Sequence, residues 1–387
     1  MDGDRRAPAD ASVTAVLGDD DLLHAALVSN RWLLHASDPA FLHRFRDRHP
    51  PRLLGFYAGY FNRHQFVPLP QHPEHAAVSR RLASCNDAFA SDKGHYVRHC
   101  RNGRLIASFF LEKRLRYRLL SPLLAGEPAA VLPPIPVSPR ASKAFTEIFL
   151  PEDGGTDGIT LVMIWTAGGT VSAELYVLES GGWGVPATAA TKLELPSSHG
   201  KVATFLKEMM QPVHGKVFVT TLGYTLGLDL ATASFFTLEL PVGVGHNYKL
   251  SCAEGSGLYL VNTEEFKLSV WLHRMTGDDD DGAGGWLLVD TFCVREACER
   301  LAGDKWVSQV GDLVALVAVG DNAEFVFLDD AANGLLLYVH MRSRLVEKVY
   351  QRSHLACLAL GHLHCTPFMM SWPPIFPALN GGHDQQG

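Results

Sequence analysis

Apolar positions recur along this chain with two different periods. Leu22, Leu23, Ala26, Leu27, Leu33 and Leu34 fall at helical spacing, and Asp19, Asp20 and Asp21 offer N-cap and first-turn carboxylates. The run breaks at Ala36-Ser37-Asp38-Pro39. An Asp cap followed by Pro at the first helical position then predicts a second helix bearing Phe41, Leu42 and Phe45. From Leu53 onward the apolar runs become short and are cut by Gly, Asn, Asp and Pro. They cover residues 53–60, 103–111, 159–166, 173–178, 216–221, 257–261, 268–275, 313–319 and 335–340. Val, Ile, Phe, Tyr and Thr dominate them, which predicts strands.

Several runs pair as hairpins: residues 313–319, then Gly320-Asp321-Asn322, then residues 325–328. The unit recurs at roughly 40 to 50 residues, near the period of propeller blades. Leu132-Pro133-Pro134, Leu195-Pro196 and Leu240-Pro241 each close an apolar stretch, and residues 215–241 read as one blade. The expected fold is therefore mainly β: an irregular propeller of six blades, with seven as the alternative count, preceded by a small α-helical module. A sandwich would give similar strands, but about 320 residues is long for one. Two inserts interrupt the pattern. Residues 277–285 carry four consecutive Asp and read as a solvated hairpin tip, and residues 294–301 (VREACERL) read as a short helix. The Gly/Gln-rich tail from Gly381 has little to bury.

Composition narrows the class. Apolar residues make up 47% and mean hydropathy is +0.03, as in a folded globular chain. The net charge of −7 disfavours a general nucleic-acid binder. No segment approaches the ~18 uninterrupted apolar residues of a membrane helix, and no signal-type apolar core follows the first residues. The expected location is cytoplasmic, nuclear or both. The seven Cys then read as reduced thiols.

The candidate chemistry is thin. Asp278 to Asp281 lack the alternating ligands, central Gly and distal Glu of a calcium loop. His354, Cys357, His362, His364 and Cys365 fit no standard zinc spacing, and read as core and surface residues of a closing strand. His95, His99 and Cys100 read the same way. Glu254-Gly255-Ser256-Gly257 lacks the spacing of a nucleophile elbow and reads as a hairpin turn. Lys113, Arg114, Arg116 and Arg118 alternate with Leu115 and Tyr117, which on a strand places the basic side chains on one face, either solvated or facing an acidic partner. No catalytic residue, cofactor site or metal site is expected.

Leu27-Val28-Ser29-Asn30-Arg31-Trp32 and Ser37-Asp38-Pro39-Ala40-Phe41-Leu42 resemble the F-box, and the continuation through Phe45-Arg46-Asp47-Arg48-His49-Pro50-Pro51-Arg52-Leu53-Leu54-Gly55-Phe56 is similar to plant F-box proteins of the large grass families. The segment Arg118 to Glu127 resembles a turn of the family's C-terminal, kelch-like or F-box-associated domain. The resemblance implies a disordered stretch over 1–6, an F-box-like module over 7–49, a substrate-recognition propeller over 52–375 and a disordered tail over 376–387. It implies an adaptor-binding surface made by Val16, Leu17, Leu22, Leu23, Leu27, Val28, Arg31, Trp32, Leu34, Pro39 and Phe41. The implied role is a substrate-recognition subunit of a Skp–cullin–F-box ubiquitin ligase, without catalysis of its own. Its partners would be a Skp-type adaptor, the cullin core and a protein substrate, with no nucleic acid and no membrane. The alternative is a non-ligase interaction protein whose F-box has decayed.

Overall fold

The computed structural model describes residues 52–70 and 96–370, with breaks at several loops, together with Phe41, Arg80, Leu82 and Ala83. Its strands form six sheets, the blades of a β-propeller. Blade 1 joins β1 (Arg52–Tyr60) and β2 (Arg63–Pro68) to the last strand, β23 (His364–Met370). Blade 2 is β3 (Tyr96–Arg101), β4 (Arg104–Leu111), β5 (Arg114–Leu120) and β6 (Ala130–Val131). Blade 3 is β7 (Phe145–Pro151), β8 (Ile159–Ala167) and β9 (Thr170–Glu179), with both β10 (Gly182–Trp183) and β11 (Ala187–Lys192) on the outer side of β9. Blade 4 holds β12 (Lys216–Thr220), β13 (Tyr224–Asp229) and β14 (Ser234–Glu239). Blade 5 holds β15 (Tyr248–Ala253), β16 (Gly257–Glu264), β17 (Lys267–Arg274) and β18 (Leu287–Cys293). Blade 6 holds β19 (Ala315–Val319), β20 (Phe325–Asp330), β21 (Leu335–His340) and β22 (Leu345–Gln351). The expected helix appears as α1 (Arg295–Ala302), between β18 and β19.

Blade 4 acquires its innermost strand without regular strand geometry. Residues 207–210 lie along β12, with Lys207 N donating to Thr220 O, Thr220 N to Glu208 O and Met210 N to Phe218 O. The inner ring is thus β23, β3, β7, residues 206–210, β15 and β19.

Every blade packs its two faces against two neighbours, which explains why middle strands such as β8, β16 and β20 are nearly continuous apolar runs and not alternating ones. In β8, Leu161, Met163 and Trp165 pack with Ile106, Tyr117 and Leu119 of blade 2, while Val162 and Ile164 pack with Val217, Val219 and Leu226 of blade 4. In blade 1, Leu54, Tyr57, Phe66 and Phe368 pack against Val97 and Leu105 of blade 2. Phe56, Ala58 and Cys365 pack against Ala318, Phe325 and Phe327 of blade 6. Leu54 would share a face with Phe56 in a regular strand; an irregularity between Leu53 and Gly55 in the pairing with β23 turns it the other way. Blades 4 and 5 meet through Phe218, Leu250 and Leu260, and blades 5 and 6 through Leu268, Val326 and Leu337, with Cys298 of α1 covering that last seam. Six seams between six blades close the ring.

Closure is made by β23, antiparallel to β1 from Arg52↔Met370 to Gly59↔His364. Blade 1 is therefore built from both ends of the propeller, as expected for a closing strand carrying His364 and Cys365. Gly227 of β13 pairs with Phe236, whose ring occupies the space where a Cβ would stand.

The sequence expectations for residues 53–60, 257–261 and 335–340 agree with the strands, and the expected turn at 254–257 lies outside the described residues apart from Gly257, which pairs with Ala253. The expected acidic loop tip falls almost wholly outside the described residues, as do the expected N-terminal helices apart from Phe41 and the terminal segments 1–6 and 376–387.

Candidate functional site: the axial channel

The inner strands surround a channel in two overlapping lobes of about 400 Å³ and about 940 Å³. Arg98 and His99 of β3, Glu208 beside β12, Lys249 of β15 and His364 and Cys365 of β23 line both. They come from four blades, because only the innermost strand of each blade reaches the axis; the irregularity between Val97 and His99 brings the adjacent Arg98 and His99 both to the channel. Lys207 and Glu147 line the larger lobe and Asp321 the smaller.

Arg98 is anchored on two sides. Its Nε donates to Ser108 Oγ at 3.0 Å, and its guanidinium lies over the Tyr96 ring at 4.6 Å. Glu147 Oε1 is 3.9 Å from the same Nε. Tyr117 donates its hydroxyl proton to the Glu147 carboxyl, at 2.7 and 2.6 Å from its two oxygens. Burial raises the Glu147 pKa, with the Tyr117 bond and Arg98 acting against it, and burial likewise raises that of Tyr117. Lys249 forms an ion pair with Glu208, and the Lys207 ammonium donates to the His246 carbonyl. The Lys207 pKa is lowered, first by burial and then by Lys249.

His364 and His99 are shifted toward the neutral form. Burial lowers His364 to about 3, helped by Lys249, Arg98 and His99. His99 is lowered to about 4, chiefly by burial, although its Nε2 lies 3.2 Å from the Glu147 carbonyl oxygen. Behind His364, His64 and Tyr96 complete a group of three rings with centroids 4.4 to 5.2 Å apart. His64 is buried, makes no side-chain hydrogen bond among the described residues and is lowered to about 3, by burial first.

Of the residues expected to bind an adaptor, Phe41 alone is described: it is helical and buried. Val16, Leu17, Leu22, Leu23, Leu27, Val28, Arg31, Trp32, Leu34 and Pro39 lie outside the described residues. In the basic run, Arg116 and Arg118 share the face opposite buried Tyr117 as expected, but both are half-buried, and the Arg118 guanidinium covers Phe109 at 4.6 Å. Among the described residues no group of three or more His, Cys, Asp or Glu is placed to hold a metal. The described cysteines are free thiols, and no described helix is long and apolar enough to cross a membrane. Arg98, Glu147, Glu208 and Lys249 escaped the sequence reading because their juxtaposition joins four blades; Arg98, Glu147 and Lys249 sit on strands that read as ordinary, and Glu208 sits in a segment with no strand signature.

Six blades closed by pairing of the first and last strands around a charged axis define a six-bladed β-propeller. Residues 96–376 match the family described as "F-box protein AT5G49610-like, beta-propeller", and the chain belongs to that family. Similar solved structures include a functionally unknown protein from Desulfotomaculum acetoxidans, at 13% identity and a TM-score of 0.39, covering 71% of this chain and 76% of that one. Another is a protein of unknown function from Bacteroides caccae, at 10% identity and a TM-score of 0.41, covering 82% and 99%. No curated protein matches.

Proposed function

We propose that this protein is the substrate-recognition subunit of a Skp–cullin–F-box ubiquitin ligase, acting in the cytoplasm or nucleus. The observation that carries the reading is the match of residues 96–376 to the propeller family of F-box proteins. It is supported by the F-box-like residues ahead of the propeller, with Leu27 and Trp32 as the large apolar anchors. In this reading the helical segment holds a Skp-type adaptor and the propeller holds the substrate. Ubiquitin transfer is then accelerated by proximity, with the chemistry done by other subunits. The protein contributes no catalytic group and needs no cofactor.

The test is a binding titration of the full chain against purified adaptor. Wild type binds, and Leu27→Ala and Trp32→Ala each weaken the complex by roughly 30-fold, the cost of truncating a buried anchor. Ser29 and Asn30 stand where the F-box usually has Cys and Lys, and this favours a second reading, an interaction protein that has lost its adaptor. That reading wins if wild type fails to bind while a chimera with a complete first F-box helix succeeds.

A further inference from the structure

We infer that the axial channel is a carboxylate-binding site in which Arg98 is the recognition residue. The inference rests on the proposed substrate-receptor role only for the source of the carboxylate, an acidic end or side chain of the protein substrate.

The argument begins with the guanidinium. Its Nε is committed to Ser108, and its plane is fixed by stacking on Tyr96. Among the described residues neither terminal nitrogen has a hydrogen-bond or ion-pair partner. A planar pair of donors, held rigidly beside a cavity and left unused, matches the two oxygens of a carboxylate. Pre-fixing the group reduces the ordering cost of binding.

The surrounding charges favour an anion. The nearest carboxyl, Glu147, is occupied by Tyr117 and pushed toward its neutral form by burial. Glu208 is engaged by Lys249. Asp321 lines only the smaller lobe. His364, which reaches both lobes, is acted on by Lys249 and Arg98, both in the cationic sense. The field of the larger lobe is positive on balance, because its described lining carries three cations, Arg98, Lys207 and Lys249, against two carboxyls, Glu147 and Glu208, although the chain as a whole carries −7. A low-dielectric wall strengthens the attraction of that field for an entering anion.

The experiment is calorimetric titration of the full chain at low salt with three probes: N-acetyl-tetraglycine bearing a free carboxylate, the same peptide as its C-terminal amide, and glutarate. The expected result is binding of the peptide acid with at least tenfold preference over the amide. Arg98→Gln should weaken it by about 10-fold or more. Ser108→Ala, which keeps the charge but releases Nε, should weaken it less. Arg98→Lys guards against misfolding: it keeps the cation, so it should retain part of the affinity with an unchanged thermal midpoint. Binding of glutarate without the peptide would support the site and assign it to a small dicarboxylate. Equal affinity for acid and amide, no loss in Arg98→Gln, or no binding of either carboxylate at millimolar concentration would overturn the inference. Adaptor binding, measured in parallel, should be the same in all these variants, so failure of the ligase reading is read separately.

Discussion

The imidazoles of His64 and His364 meet across Gly59, the residue that pairs with His64 in β2 and with His364 in β23. One strand, β1, separates them in the sheet order, yet their ring centroids lie 5.2 Å apart, because the intervening position carries no side chain. Tyr96 of the next blade closes on both rings. The second and last strands of the propeller are thus joined across β1 by a pair of groups that burial keeps toward the neutral form.

Acidification should loosen that join. Both histidines fall from 6.5 in the unfolded chain to about 3 in the folded one. Between those values the unfolded state binds more protons, so stability drops as pH falls. The loss begins near pH 6.5 and continues toward pH 3. Glu147, whose pKa is raised, works in the opposite direction. Thermal unfolding at pH 7 and pH 4.5 should show a lower midpoint at pH 4.5. The decrease should be smaller in the His64→Leu/His364→Leu double variant. Parallel slopes in the two proteins would refute the assignment.

Phe368 should be the costliest single truncation in the closing strand. It is fully buried, 6.1 Å from the Tyr57 ring and 5.9 Å from that of Phe66, on the seam between blades 1 and 2. Phe368→Ala removes a filled volume that the sheets cannot close over, at about 3–5 kcal/mol. Urea unfolding followed by intrinsic fluorescence measures the loss, and a change under 1 kcal/mol would contradict the seam.

A buried ion pair makes an asymmetric prediction. Arg352 pairs with Asp329, and both side chains are almost wholly enclosed. Asp329 Oδ2 also accepts from the Leu363 backbone N–H, at the entry to β23. Arg352→Met strands the carboxylate and should cost about 3–5 kcal/mol, whereas the Arg352→Met/Asp329→Asn double variant should recover part of that. Chemical denaturation of the three proteins forms the test, and additive losses would count against the pairing.

Gly227 has no room for a methyl group beneath Phe236. The ring in turn meets Phe218 edge-on at 5.7 Å. Gly227→Ala should destabilise blade 4 by about 1–3 kcal/mol through overpacking. Adding Phe236→Leu should return some of it. A neutral Gly227→Ala would mean that the ring moves aside freely.

The architecture was legible because burial on both blade faces leaves a strong mark: runs such as residues 159–166 are apolar at nearly every position. The blade spacing was less legible. Residues 206–210 complete blade 4 by hydrogen bonding alone, with Lys207 and Glu208 in a sequence that carries no strand signature. The channel was not legible at all. Arg98, Glu208, Lys249 and His364 are scattered over four blades, and nothing local distinguishes a strand that faces the axis from one that faces a neighbour. His364 was read as an ordinary member of a closing strand, correctly for its place in the fold; that it also lines the channel emerged only from the assembled ring.

The pairing of Gly59 with His364 also sets a timetable for biosynthesis. About 305 residues separate the two partners. At ribosomal speeds of about 5–20 residues per second, β1 is made on the order of 15–60 s before the strand that covers it. Throughout that interval the nascent protein carries an open backbone edge beside Phe56, whose packing partners in blade 6 are among the last residues made. Quality control by chaperones should therefore concentrate on the earliest blade and not on the latest, and premature stops before His364 should yield aggregates even though five of the six sheets are fully encoded.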